Sequence, residues 1–263
     1  MSENSRTRRI KQLEAEGNVR GLVDQFRYPD RRRRAADALI RIGDRRVAVA
    51  LVEELGRVQT YRLGADVMET LLRLGPVAVA PLVDLVSRRA FKGSSDHDLR
   101  RCATVGRALA GLGEASIPPL LDVLSGESDR YVREFIAKVF GEIGDPDLVD
   151  PLLEILRRDR SPAAAVALGR IGEPHVVGAI LEAVGRLTWV ERAASGLEDF
   201  TMALVLIGEP ALEPLGQALA SADGVVKSVA GRSLRRIRRN LRRGVVVTRP
   251  QFGEARVAYV NGF

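Results

Sequence analysis

The chain has 263 residues, 46% apolar and 29% charged, enough to bury a substantial core as one or two domains. Its 41 basic and 34 acidic residues leave a net charge of +7, and a single cysteine, Cys102, excludes a disulfide framework and any metal site built on a Cys pair. No run approaches 18 uninterrupted apolar residues and the opening SENSRTRRIKQLEAE lacks the apolar stretch of a signal peptide, so the expectation is a cytoplasmic protein with no membrane insertion.

Residues 1–16 form a polar, basic N-terminal segment. From residue 17 onward the sequence repeats itself. An apolar-Gly-(Asp/Glu/Pro) phrase recurs with its glycine at 43, 75, 113, 144, 172 and 208, at intervals of 32, 38, 31, 28 and 36 residues. A period near 33 marks an array of supersecondary units.

A second phrase follows each of these glycines: LVEEL at 51, LVDLV at 82, LLDVL at 120, LLEIL at 152, ILEAV at 180 and LGQAL at 215, with LVDQF at 22 ahead of the first. Proline at 81, 119, 151 and 214 precedes it. Proline is tolerated in the first turn of a helix, where its missing N–H would be unpaired anyway, so the phrase marks the first helix of each unit.

A second helix follows, opened by an Asp with a base four residues on: Asp30 and Arg34, Asp96 and Arg100, Asp129 and Arg133, Asp223 and Lys227. The carboxylate caps free N–H groups and the base lies one turn in, within its reach. Ser161 before Pro162, and Thr188 with Glu191 at capping-box spacing, serve the same purpose elsewhere. Small residues such as Ala163, Ala164, Ala165 and Gly169 let these second helices approach their neighbours, and the next glycine stops each of them.

Helix, short turn, helix, glycine, repeated about seven times over residues 17–243, cannot bury its apolar faces except by stacking. The expected fold is therefore all-α, an α-solenoid of about seven helical hairpins. The unit ASIPPLLDVLSGESDRYVREFIAKVFGEIGD, at 115–145, resembles a HEAT repeat of the short, phycobilisome-lyase-like type. The resemblance implies a scaffold that holds another protein or complex on its concave face or repeat edge. Two insertions, SRRAFKGSSDHD at 87–98 and a lengthened stretch at 188–201, map to loops on one edge, where partners are often contacted.

Catalytic motifs are absent: no P-loop, no G-x-S-x-G and no H-E-x-x-H. His97 and His175 stand apart and read as surface loop residues. The resemblance raises an enzyme or cofactor-maturation role as a further alternative. The His-Glu pairs of an iron-binding deoxyhypusine hydroxylase are missing here. A DNA glycosylase of HEAT-like repeats needs an aromatic cleft and an acid, for which Trp189 and Asp199 are the only pair on offer, and Trp189 is more simply a packing residue after the Thr188 cap. Bilin lyases share the repeat as a scaffold. The reading is a protein that is not an enzyme and has no cofactor. Cys102 reads as a small buried thiol. Glu53, Asp84, Asp122, Glu154 and Glu182 recur at one position of the first helices, as a solvated acidic ladder or a surface for a basic partner.

The charge is uneven. Residues 226–263 hold ten basic groups and one acid, leaving the rest near neutral at −2. In SLRRIRRNLRRG, at 233–244, Leu234, Ile237 and Leu241 share one helical stripe that closes the last repeat. Arg235, Arg236, Arg238, Arg239, Arg242 and Arg243 fan across the opposite side, and Arg232 extends that face backward. This is a candidate contact for a polyanion, either a nucleic acid or ribonucleoprotein or an acidic protein; Arg31, Arg32, Arg33 and Arg34 form a secondary basic cluster. The tail 244–263, with alternating VVVTRP and ARVAYV, is β-prone: a short hairpin, or an extended strand for a partner.

Overall fold

The computed structural model describes residues 3–55, 61–87, 96–126, 129–193 and 196–244, which fall into two compact units, Met1–Gly126 and Glu127–Phe263. All regular structure among the described residues is helical. The tail expected to be β-prone, beyond Gly244, and most of the 87–98 insertion lie outside them.

In the first unit, α1 (Glu3–Ala15) is followed by the hairpins α2 (Val19–Asp24) with α3 (Arg32–Ile42), α4 (Arg45–Leu55) with α5 (Tyr61–Leu74), and α6 (Val79–Ser87) with α7 (Asp96–Gly111), then by α8 (Ile117–Gly126). First helices contact first helices, α2 to α4 to α6 to α8, and second helices form a parallel row, α3 to α5 to α7. The N-terminal segment joins that second row: α1 packs on α3 and α2, and Ile10 and Leu13 are buried there.

The second unit repeats the pattern with α9 (Arg130–Ile143), then α10 (Val149–Asp159) with α11 (Pro162–Ile171), α12 (Val177–Gly185) with α14 (Gly196–Ile207), and α15 (Leu212–Ala218) with α16 (Gly224–Arg242). A short extra helix, α13 (Trp189–Ala193), precedes α14. Rows run α10 to α12 to α15 and α9 to α11 to α14 to α16. Two layers of helices around one apolar seam make the α-solenoid, and the seam is filled by side chains such as Phe140, Leu152, Leu168, Ile180, Phe200, Leu215 and Ile237.

The punctuation acts as its chemistry dictates. All six repeat glycines take positive φ, from 60° to 82°, where a side chain would be strained. After five of the six, all but Gly43, a single 3-10 turn then leads into the next first helix, and prolines 81, 119, 151 and 214 each stand third in theirs. Asp129 accepts from the Tyr131 N–H, Asp223 from Val225 and Val226, and Ser161 from Ala164. Asp30 does not cap. The N–H groups of Arg31 and Arg32 already bond the Tyr28 carbonyl, and that turn delays the helix to Arg32, with Arg31 at the cap position.

Close packing in the second row depends on missing side chains. A Cβ on Gly169 would lie 2.4 Å from the Ala203 carbonyl oxygen, and one on Gly141 would lie 2.7 Å from the Ala167 Cβ. Residues 63–87 have the length and composition to cross a membrane. In the fold they are two helices, α5 and α6, meeting at Gly75 with φ 69°, and Val67, Leu71, Leu82 and Val86 are in the core.

Candidate functional site

Asp223 caps α16, and Val229, Ala230, Leu234 and Ile237 seat it on the core. Leu241, expected to extend the closing stripe, is 44% exposed, so the stripe that closes the repeat ends at Ile237, one turn before the end of α16. The arginines take the other face. Arg235, Arg238, Arg239, Arg242 and Arg243 are exposed, and Arg232 and Arg236 are half-buried. Arg236 binds the Glu198 carboxylate of α14 at 2.6 Å. The other six have no acidic partner among the described residues.

Four of these arginines, Arg232, Arg235, Arg236 and Arg239, lie at i, i+3, i+4 and i+7 and line a solvent-open groove with Glu198 and Thr201 of α14. Thr201 donates its hydroxyl to the Leu197 carbonyl. The Arg232 Nε is shut off from solvent without any hydrogen-bond partner. Orphaned buried donors are rare in folded proteins.

The Arg31 to Arg34 cluster is largely engaged within the fold. Arg31 donates to Gln25 at 2.9 Å and stacks 4.4 Å above the Tyr28 ring. Arg32 reaches the Phe26 carbonyl at 2.6 Å and Asp66 at 3.0 Å, and Arg34 donates to the Thr7 hydroxyl at 3.1 Å. Arg33 points outward.

A different surface was not legible as a site. Trp189 and Tyr131 are each 81% exposed, so Trp189 is not the packing residue expected. The Thr188 N–H bonds Glu191 at 2.8 Å, which fixes the start of α13 and leaves the indole outside. Glu191 also takes a two-pronged bond from Arg160, at 3.0 and 3.3 Å, and lies 4.0 Å from the Arg130 guanidinium. These bonds draw the starts of α9, α11 and α13 onto one edge. Hydrogen bonds from Arg160 and Thr188 hold the Glu191 carboxyl down at about 2. Arg160 adopts φ 51°, the one non-glycine with positive φ among the described residues.

The remaining candidates are dispersed. Cys102 is half-buried rather than fully buried, and His175 is exposed on a 3-10 turn. Asp199 sits beside Glu198 on α14. Desolvation and the Glu198 charge raise its pKa against the pull of Lys138. With Trp189 turned outward, these two do not form an aromatic cleft with an acid. Among the described residues no cluster of three or more His, Cys, Asp or Glu side chains is suited to a metal ion. Glu53, Asp84, Asp122, Glu154 and Glu182 are all exposed.

HEAT repeats match residues 90–162 and again 117–198. No curated protein compared with the sequence is similar enough to count as a relative. The matched stretch holds the hairpins that carry Tyr131, Arg133, Asp159, Arg160 and Trp189. Residues 90–198 are thus similar to HEAT repeats, and they lie within an all-α solenoid of helical hairpins.

Proposed function

We propose that this chain is a non-catalytic adaptor built from short, phycobilisome-lyase-like HEAT repeats, and that it holds a protein partner on the edge of its second unit. HEAT repeats generally serve as protein-interaction scaffolds, which supports the coarse reading. The observation that carries the finer one is the pair of exposed aromatics, Tyr131 and Trp189, on a frame fixed by Glu191, Arg130 and Arg160. Solubility disfavours two such rings in water. Trp, Tyr and Arg are also the residues that dominate binding hot spots, and a rigid frame lowers the entropy lost on association.

The arginine face of α16 is the second contact, for an acidic partner, supported by six guanidinium groups without a carboxylate beside them. Solubility alone would accept mixed charge there.

Affinity purification of the tagged protein from its native cell tests the first contact. The double variant Tyr131→Ala/Trp189→Ala loses its principal protein partner by roughly 30-fold, the equivalent of about 2 kcal/mol for one hot spot, while its melting temperature holds. The same protein recovered in equal yield by both forms would remove the edge from the proposal.

A further inference from the structure

We infer that the groove between α14 and α16 is a phosphate-binding site that anchors a nucleic-acid backbone along α16. The inference rests on the reading of α16 as a contact surface and names what that surface takes.

The groove's chemistry is that of an anion clamp. Arg232, Arg235, Arg236 and Arg239 converge on it, and the one carboxylate in its lining, Glu198, is bonded to Arg236. Three guanidiniums are left facing the groove with no acid. The Arg232 Nε is buried without an acceptor, so this guanidinium has given up water at one nitrogen without gaining a bond in exchange. Leaving such a donor unmade is costly, and a guanidinium matches phosphate oxygens with two parallel bonds.

Size separates a free small molecule from the end of something larger. The cavity holds about 210 Å³, below the roughly 300–1,000 Å³ of small-molecule and cofactor sites. It suits one phosphate group on a longer chain.

The arginines outside the groove decide which chain. From Arg232 to Arg243 the row runs about 16 Å along the helix and continues past the groove with Arg238, Arg242 and Arg243, all exposed. A single phosphorylated side chain needs two or three of these groups. A nucleic-acid strand presents a phosphate about every 3.4 Å of helix axis, so it engages the whole row. No aromatic ring and no amide side chain lines the groove, so base edges go unread, and binding follows the backbone without regard to sequence.

The test uses the full chain, a labelled 20-nucleotide mixed-sequence RNA, the same length of duplex DNA, and polyglutamate as competitor. With six arginines engaged, log K falls against log salt with a slope of roughly −4 for the single strand and −5 for the duplex. The variant Arg232→Gln/Arg235→Gln/Arg239→Gln flattens the slope by roughly 2 to 3. It also weakens binding by about 10-fold more than Arg238→Gln/Arg242→Gln/Arg243→Gln, because the three groove arginines converge on one phosphate, where their charge-assisted bonds act together. Glu198→Gln removes the only carboxylate in the groove and frees Arg236, so it tightens binding and steepens the slope by about 1; a gain of this kind cannot come from misfolding. Binding by neither nucleic acid overturns the reading of α16 as a contact surface for nucleic acid. Binding that falls equally for both triple variants, or that Glu198→Gln leaves unchanged, overturns the groove as anchor while the surface stands. Displacement of the RNA by an equal charge of polyglutamate would assign the site to an acidic protein instead.

Discussion

Arg133 was legible as a base one turn into its helix and proves to be buried. It donates to both carboxylate oxygens of Asp159, Nε to Oδ2 at 2.6 Å and Nη2 to Oδ1 at 2.7 Å, with side chains only 6% and 9% exposed. The pair ties α9 to the end of α10, the next first helix. Arg133→Met preserves most of the volume but leaves a carboxylate buried without its counter-charge, which costs about 3–5 kcal/mol. At roughly 2–4 °C per kcal/mol, the transition containing the second unit falls by about 6–20 °C. Asp159→Leu alone does comparable damage by stranding the guanidinium. The double variant Arg133→Met/Asp159→Leu returns to within about 1 kcal/mol of the parent, since an apolar pair can replace a buried ion pair at little cost. The assay is urea unfolding followed by circular dichroism, with hydrogen exchange at α9 and α10 to locate the loss, because repeat arrays need not unfold in one step. Single variants that each lose under about 1 kcal/mol, or a double variant that loses the sum of both, would refute the reasoning.

Gly169→Ala gains about 1 kcal/mol of helix propensity but sets its Cβ 2.4 Å from a backbone oxygen of Ala203 and 2.8 Å from the Ala203 Cα. Overpacking of about 1–3 kcal/mol gives a net loss, whereas Gly178→Ala, with nothing within 4 Å, is neutral or stabilising; chemical denaturation of both distinguishes packing from propensity. Glu191 titrates at about 2, against 4.5 for an ordinary glutamate. A depressed carboxyl stabilises the fold fully above its unfolded pKa and loses that contribution as pH falls from about 4.5 to 2. Glu191→Gln therefore costs on the order of 1–2 kcal/mol at pH 7, after allowance for solvent screening, and the difference from the parent closes by pH 2. A gap in unfolding free energy that stays constant over that range would show that Glu191 acts by packing alone.

How much of this was legible follows from what a period carries. The glycines, the double-apolar phrases and the caps Asp129, Ser161 and Asp223 are local signals, each read correctly because its chemistry acts within four residues. Gly169 was legible as a close-packing position because its helix is filled with small residues. The Arg133–Asp159 pair was not, since it joins residues 26 apart across a repeat boundary and periodicity fixes faces without fixing partners. Trp189 was misplaced because aromatic residues usually pack, and only the bonds from Thr188 and Arg160 to Glu191 turn it outward. The arginine face itself was visible from helical spacing. That Arg236 is already paired with Glu198, while the Arg232 Nε has no acceptor, needed the position of α14.

A photo-crosslinking residue placed at Trp189 in the full-length protein, in its native cell, tests the adaptor role most directly. Position 189 yields one discrete crosslinked protein, and the same residue at Glu154, exposed on the face of a first helix, yields none. Equal labelling from both positions, or none from either, would contradict an adaptor whose partner sits on the aromatic edge.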